Sequence, residues 1–143
     1  MIAVDTNLLV YAHREDSPWH AKAKDCLAGL AEGPGEWAIP WPCLREFYSV
    51  CTHPRIYDPP TTPPQACAQV EAWLASPSLT VLGEGGTHWA ALRGLLLDGK
   101  VAGPLVHDAA IAALCLAHGV RELWSADRDF SRFPSLRVGN PMR

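Results

Sequence analysis

Short apolar strands alternate with amphipathic helices along the chain, and this alternation restricts the fold more than any other feature. The strand patterns cover residues 2–4, 37–39, 79–82, 122–125 and 136–138. The helical patterns cover residues 6–13, 18–31, 42–52, 64–76, 87–97 and 105–118. Strands that alternate with helices favour a parallel sheet with helices on both faces. The sequence therefore predicts an α/β fold with a mainly parallel sheet of four to five strands.

Local signals set the expected ends of several elements. Pro18 suits the first position of the second helix, with Asp16 or Ser17 as its cap. Gly119 lies where a helix that ends at residue 118 is typically terminated. Residues 53–64 contain five prolines and no hydrophobic period, so they are predicted to form a loop.

The size and composition of the chain fit one domain, 1–143. It has 143 residues, of which 48% are hydrophobic and 19% charged, with a formal net charge of -3. This composition is that of a globular protein, and the charge argues against a broadly basic nucleic-acid-binding surface. The five cysteines include no Cys-x-x-Cys pair, and no apolar run approaches the roughly 20 residues of a membrane span. We therefore expect a cytoplasmic protein with reduced thiols and no membrane association.

Four acidic residues adjoin apolar segments instead of lying in charged runs: Asp5, Glu46, Asp108 and Asp127. Asp5 and Asp127 follow strands, whereas Glu46 lies near the start of a helix and Asp108 in the first turn of another. The carboxyl ends of parallel strands meet at one edge of a sheet, where ligands bind. The pattern thus predicts that four elements deliver one carboxylate each to the same rim.

A cluster of this kind requires a cation. Neighbouring carboxylates raise one another's pKa values unless positive charge offsets their repulsion. Oxygen-only ligation is typical of Mg²⁺ or Mn²⁺, and such a centre supports phosphodiester hydrolysis with one or two metal ions. The leading hypothesis is a metal-dependent hydrolase.

The ordered set of motifs resembles that of the PIN-domain ribonucleases, in particular the VapC-type toxins of toxin–antitoxin pairs. The matching segments are VDTN at 4–7, Glu46, HDA at 107–109 with IAA at 111–113, and SADRDF at 125–130. None of these motifs is specific alone, but their order and spacing along the whole chain are. The resemblance implies a PIN-like three-layer α/β/α sandwich.

The resemblance also implies roles for individual residues. Asp5, Glu46, Asp108 and Asp127 match the family's acidic, metal-binding catalytic positions. Further residues match accessory positions: Thr6, Asn7, Ser125 and Asp129. Ser125 keeps the hydroxyl of the threonine often found there, while Thr6 and Asn7 would orient Asp5. Asp129 matches an acidic position that only some members use.

The implied activity is cleavage of RNA, often transfer RNA or ribosomal RNA, by a Mg²⁺- or Mn²⁺-dependent endoribonuclease. The resemblance further implies a homodimer and a cognate antitoxin protein. Among the basic residues near the predicted rim, Arg45 and Arg128 are favoured as RNA contacts because they flank acidic candidates.

Simpler interpretations exist for most of these residues. Asp5 or Asp108 alone would more often cap a helix, and Asp129 would more often be solvated or paired with Arg128. His107 is more typical of an ordinary surface histidine. The six tryptophans favour core packing over base stacking, with Trp41 the best candidate for exposure. The loop at 53–64 fits a binding element beside the RNA groove and a plain spacer equally well.

Other functions fit the sequence less well. A catalytically inactive PIN-like RNA-binding or protein-interaction module is the main alternative, although all four acids are present. A receiver domain requires adjacent acids after the first strand, and an aspartyl phosphatase requires a second Asp at position 7, which is Asn7. A dinucleotide-binding domain requires a Gly-x-Gly-x-x-Gly turn, which the chain lacks.

Overall fold

The computed structural model describes residues 1–143 as five strands, six α-helices and two short 3₁₀ helices. The strands are β1 (Ile2–Val4), β2 (Trp37–Pro40), β3 (Leu79–Leu82), β4 (Glu122–Trp124) and β5 (Val138–Gly139). The helices are α1 (Thr6–His13), α2 (His20–Glu32), α3 (Trp41–Cys51), α4 (Pro63–Leu74), α5 (His88–Asp98) and α6 (Val106–Ala117). The 3₁₀ helices are Gly103–Leu105 and Arg128–Arg132.

All five strands join one parallel sheet in the order β3-β2-β1-β4-β5. The predicted α/β class is confirmed, and the sheet is entirely parallel. Because β1 is central, the chain first runs outward through β2 and β3, then returns to the other side of β1 for β4 and β5. The strand order therefore reverses at β1, directly before Asp5, which is where open sheets of this type bind ligands.

The helices form the two outer layers. Right-handed crossovers place the helices of the outward run on one face and those of the return on the other. The packing agrees with this arrangement: α1 contacts α2 and α3, α3 contacts α4, and α5 packs on α6. The result is the expected three-layer sandwich.

Burial of the central strands holds the layers together. All four residues of β2 are buried, as are Ala3, Val4 and Leu123 from β1 and β4. Strands covered on both faces need apolar side chains in nearly every position, which explains their continuous hydrophobic runs. On the α3 side, the Phe47 ring is fully buried and packs edge-on against Trp73, with centroids 4.8 Å apart.

Two elements begin two residues later than the sequence predicted, whereas the other elements begin within one residue of the prediction. The second helix begins at His20 and not at Pro18, because Ser17 Oγ accepts a hydrogen bond from the amide of Trp19 and forms a turn. Asp16 does not cap this helix, since its carboxylate binds Arg14. The last strand is Val138–Gly139, whereas Leu136 lies in a preceding turn and is buried.

The tryptophans are more exposed than expected. Trp37 is buried and Trp41 is exposed, as predicted. Trp19 and Trp89 are also exposed, by 44% and 63%, although helical spacing placed them on apolar faces. The apolar face of a helix is recognisable in sequence, but whether another element covers it depends on the tertiary fold.

None of the six helices combines the length and apolarity needed to cross a membrane. All five cysteines are unpaired.

Candidate active site

The strand order brings the predicted acidic residues to one edge of the sheet. Asp5 follows the central strand, and Asp127 follows its neighbour β4 after two residues. The amide of Asp5 donates a hydrogen bond to the carbonyl of Trp124 at 3.0 Å, which joins the ends of the two strands. Glu46 reaches this edge from α3, and Asp108 from the first turn of α6.

Three carboxylates are close enough to share one cation. Oxygen atoms of Asp108, Asp127 and Asp129 all lie within 4.8 Å of one another. Asp5 and Glu46 lie outside this group of three. The accessory candidate Asp129 is therefore nearer the centre of the cluster than the sequence interpretation placed it, and it forms no ion pair with Arg128.

The environment of Asp108 shows how strongly the carboxylates act on one another. Burial is the main cause that raises its pKa, from an ordinary value of 3.8 to about 7. The negative charges of Asp127, Asp5, Asp129 and Glu46 add to this rise, in that order. No basic side chain pairs with any of the five acids. Their repulsion is thus left for an added cation to offset.

Asp5 forms the inner wall of the site and is only 5% exposed. Its Oδ2 accepts a hydrogen bond from Ser125 Oγ at 2.7 Å, and its Oδ1 accepts one from Cys43 Sγ at 3.5 Å. Burial raises the pKa of Asp5, while these donors act in the opposite direction. Asp5 occupies the cap position of α1, but its side chain makes no capping bond. The carboxylate is held toward the site instead.

Ser125 connects three parts of the site. In addition to its bond to Asp5, its Oγ accepts hydrogen bonds from Asn7 Nδ2 at 3.4 Å and from the amide of Asp127 at 3.0 Å. Asn7 Oδ1 accepts a further bond from the amide of Ala126 at 3.2 Å. A hydroxyl has one donor and two acceptor sites, and all three are used here. Asn7 therefore reaches Asp5 through Ser125.

Thr6 orients a different acid from the one that the sequence suggested. Its Oγ1 donates to Glu46 Oε2 at 3.2 Å, so the hydroxyl bonds Glu46 and not Asp5. Asp127 also supports the second 3₁₀ helix. Its Oδ1 accepts a hydrogen bond from the amide of Asp129 at 2.8 Å and caps that helix.

The carboxylates open into a polar cleft of about 670 Å³, which is within the usual range for ligand sites. Its walls include the predicted residues Arg45, Glu46, His107, Asp108 and Asp127. His107 is exposed, as expected of a surface histidine. Neither Arg45 nor Arg128 is engaged in an ion pair, so both guanidinium groups are free for a ligand.

Two residues near the site were missed in the sequence analysis. Glu84 lines the cleft after β3, and its position just beyond a strand is the same signal that identified Asp5. Cys43 contacts Asp5 from within α3, and nothing in the sequence distinguished it from a core cysteine.

The proline-rich loop does not line the acidic cleft. Arg14 anchors it, with bonds to the carbonyl of Pro59 at 3.1 Å and to Thr61 Oγ1 at 3.2 Å, and with its guanidinium 4.1 Å from the centre of the Tyr57 ring. His13 adds a contact with Thr61. The loop is therefore fixed to the end of α1, away from the carboxylates.

Comparison of the chain with known proteins identifies its family. The PIN domain family model matches residues 2–136. Ribonuclease VapC43 of Mycobacterium tuberculosis is 39% identical over 142 residues, which cover 99% of this chain and 96% of the relative. Ribonuclease VapC48 of the same organism is 34% identical over 137 residues, covering 96% and 94%.

Solved structures show the same fold at lower identity. The VapBC2 complex from Rickettsia felis, bound to a DNA fragment from its promoter, contains a chain with a TM-score of 0.71 and 21% identity, covering 98% of both chains. The Sarcin-Ricin loop cleaving toxin VapC20 of Mycobacterium tuberculosis has a TM-score of 0.66 and 20% identity, covering 92% of this chain and 93% of its own.

Proposed function

The chain belongs to the PIN-domain family and is a ribonuclease of the VapC type, and we propose that it cleaves RNA as a Mg²⁺- or Mn²⁺-dependent endoribonuclease. The observation that carries the metal requirement is the group of Asp108, Asp127 and Asp129, whose oxygens lie within 4.8 Å of one another without a basic partner.

The donor set fits a hard divalent cation. The three groups that are close enough to share a cation are all carboxylates, which suit Mg²⁺ and Mn²⁺ better than softer metals that prefer sulfur or imidazole. When bound, such a cation lowers the pKa of a coordinated water and offsets charge on the phosphate. Asp108, Asp127 and Asp129 would hold it, with Asp5 and Glu46 as the further carboxylates of the proposed metal site.

The protein's own contribution is to keep these groups in place. Asp5 is fixed at both oxygens, and Glu46 is fixed by Thr6. Preorganised groups need not rearrange when the phosphodiester binds, so more of the binding free energy is available to the transition state. Thr6, Asn7 and Ser125 are positioning residues in this scheme.

RNA would enter through the polar cleft. Arg45 lies on its wall and Arg128 beside Asp127, and both have unpaired guanidinium groups suited to bidentate phosphate contacts. Basic residues at the rim bring the polyanion toward a centre that would otherwise repel it. Transfer RNA or ribosomal RNA is the expected substrate class.

The same family membership supports a biological role as the toxin of a toxin–antitoxin pair. We expect a cognate antitoxin protein that blocks the nuclease, a homodimeric toxin and a cytoplasmic location. The solved VapBC and FitAB assemblies are structural neighbours of this chain and support the antitoxin partner by analogy.

The test is cleavage of total cellular RNA by the purified protein with Mg²⁺, with Mn²⁺ and with EDTA. Asp108→Asn is the inactive variant, and Asp25→Asn is a matched control because Asp25 is exposed on α2 and makes no side-chain bond. We expect discrete fragments that require both metal and Asp108. Cleavage in EDTA, or by Asp108→Asn at the rate of the unaltered protein, would contradict the proposal.

The absence of cleavage by folded protein free of antitoxin would instead favour the RNA-binding or protein-interaction module. Growth arrest on expression, relieved by Asp108→Asn but not by Asp25→Asn, is the corresponding expectation in cells.

A further inference from the structure

Two neighbouring residues of the first strand–helix junction bond two residues one helical turn apart in α3. Cys43 Sγ donates to Asp5 Oδ1 at 3.5 Å, and Thr6 Oγ1 donates to Glu46 Oε2 at 3.2 Å. Each segment thus supplies one donor and one carboxylate. The Cys43 bond runs from α3 to the junction, and the Thr6 bond runs from the junction to α3. This pair of bonds connects the segment that carries Asp5 to the helix that carries Glu46.

Burial strengthens the bond between Cys43 and Asp5, whereas Glu46, in the other bond, is exposed. Cys43 is fully buried, and Asp5 and Thr6 are 5% and 6% exposed. Water therefore does not compete for the thiol, which is otherwise a weak donor.

Cys43 also completes the support of the Asp5 carboxylate. Ser125 holds Oδ2 from β4, on one side, while Cys43 holds Oδ1 from α3, on the other. With one side-chain donor on each oxygen, the carboxylate plane is fixed. Removal of either donor allows the plane to rotate about the bond between Cβ and Cγ.

We propose that Cys43 is a positioning residue, which acts with Thr6 to hold the Asp5 and Glu46 carboxylates in fixed orientations at the cation site. The inference rests on the proposed function, because it assumes that the acidic site binds such a cation. It assigns a role in the site to a cysteine that otherwise has the features of an ordinary core residue.

The experiment is a calorimetric titration of the metal-free protein with Mn²⁺ alone. It compares the unaltered protein with Cys43→Ala and Cys43→Ser. We expect Cys43→Ala to bind Mn²⁺ roughly tenfold more weakly, as is usual when the hydrogen-bond partner of a metal ligand is lost. Cys43→Ser restores a donor and should recover most of the affinity, whereas a purely packing role predicts no such recovery.

Cys51→Ala is the matched control. Cys51 lies on the same helix, is equally buried and bonds none of the five carboxylates through its side chain. It should lower the melting temperature by a similar amount to Cys43→Ala without changing Mn²⁺ affinity. If Cys43→Ala does not fold, Cys43→Val fills the same space without a donor and replaces it.

Thr6→Val tests the other arm of the pair. If the two bonds act together, the effects of Thr6→Val and Cys43→Ala on the free energy of Mn²⁺ binding should not add. The double variant should then lose less binding free energy than the sum of the two single losses.

The outcomes separate the two proposals. If the unaltered protein binds Mn²⁺ and Cys43→Ala binds it equally well, or if Cys43→Ser is no better than Cys43→Ala, the role of Cys43 is refuted and the proposed function stands. If the unaltered protein binds no Mn²⁺, the proposed function fails, and the role of Cys43 with it.

Discussion

Ser125 and Asp5 are separated by 120 positions in the chain, yet the hydroxyl of one donates a 2.7 Å hydrogen bond to the carboxylate of the other. The bond spans two adjacent parallel strands at the edge of the sheet where the site lies. It exists because β1 and β4 pair in register, Val4 beside Trp124. The orientation of the central acid therefore depends on the pairing of two distant segments.

Loss of this bond should reduce activity more than stability. We expect Ser125→Ala to slow RNA cleavage by roughly 10- to 100-fold, the usual range for the loss of a group that orients a metal ligand. Ser125→Thr keeps the hydroxyl and should retain most of the activity. Cleavage rates at saturating Mn²⁺ measure both effects, with Ser131→Ala, at an exposed serine of the second 3₁₀ helix, as control. Equal rates for Ser125→Ala and the unaltered protein would show that this bond is dispensable.

The raised pKa of Asp108 makes the stability of the metal-free protein depend on pH. Between its ordinary pKa of 3.8 and the folded value of about 7, the folded protein holds the proton more tightly than the unfolded chain. This group's contribution to stability is therefore fully present below about pH 4 and is lost as pH rises through about 7. In EDTA, Asp108→Asn should be more stable than the unaltered protein at pH 8, and the difference should disappear toward pH 4.

Urea unfolding at several pH values measures this difference. Addition of Mn²⁺ at pH 8 should reverse the order, because only the unaltered protein gains the full stabilisation of the bound ion. A difference between the two proteins that does not vary with pH would refute the assignment.

Asp129 should contribute directly to metal binding. It is exposed and has no cationic partner, and its oxygen lies with those of Asp108 and Asp127. We expect Asp129→Asn to weaken Mn²⁺ binding at least tenfold, with little change in melting temperature. Calorimetric titration beside Asp25→Asn is the appropriate measurement. Unchanged Mn²⁺ affinity would show that Asp129 is only a solvated surface residue.

Arg14 should hold the proline-rich loop in place. Arg14→Ala removes the bonds to Thr61 and to the carbonyl of Pro59, and we expect it to lower the free energy of unfolding by about 1 kcal/mol. Proteolytic cleavage between residues 53 and 62 should accelerate. Arg93→Ala, at an exposed and unpaired arginine on α5, is the control in urea unfolding and limited proteolysis. A loop equally resistant in both variants would mean that other contacts secure it.

Much of the fold was predictable from the sequence because its signals are local. Apolar runs gave the strands, helical periodicity gave the helices, and their alternation required parallel pairing. The position of Asp5 and Asp127 just after strands placed them at one edge. The exact start of α2 was not predictable, because it depends on a turn at Ser17 that competes with Pro18.

The rest of the site depends on contacts between distant segments. The sequence could not show that Thr6 bonds Glu46 or that Cys43 bonds Asp5, since both bonds require α3 to pack beside β1. Nor could it place Asp129 beside Asp108, which lies on another element. Local patterns identify candidate groups, while tertiary packing determines which of them meet.

The central position of β1 has a consequence for synthesis. β1 leaves the ribosome well before β4 (Glu122–Trp124), the neighbour that completes the acidic edge. Until that segment emerges, the nascent polypeptide lacks Ser125, Asp127 and Asp129 and has no assembled site. We therefore expect ribosome-bound chains that are arrested before residue 122 to leave nearby RNA intact, so that the activity would appear only after the segment with Ser125, Asp127 and Asp129 has emerged.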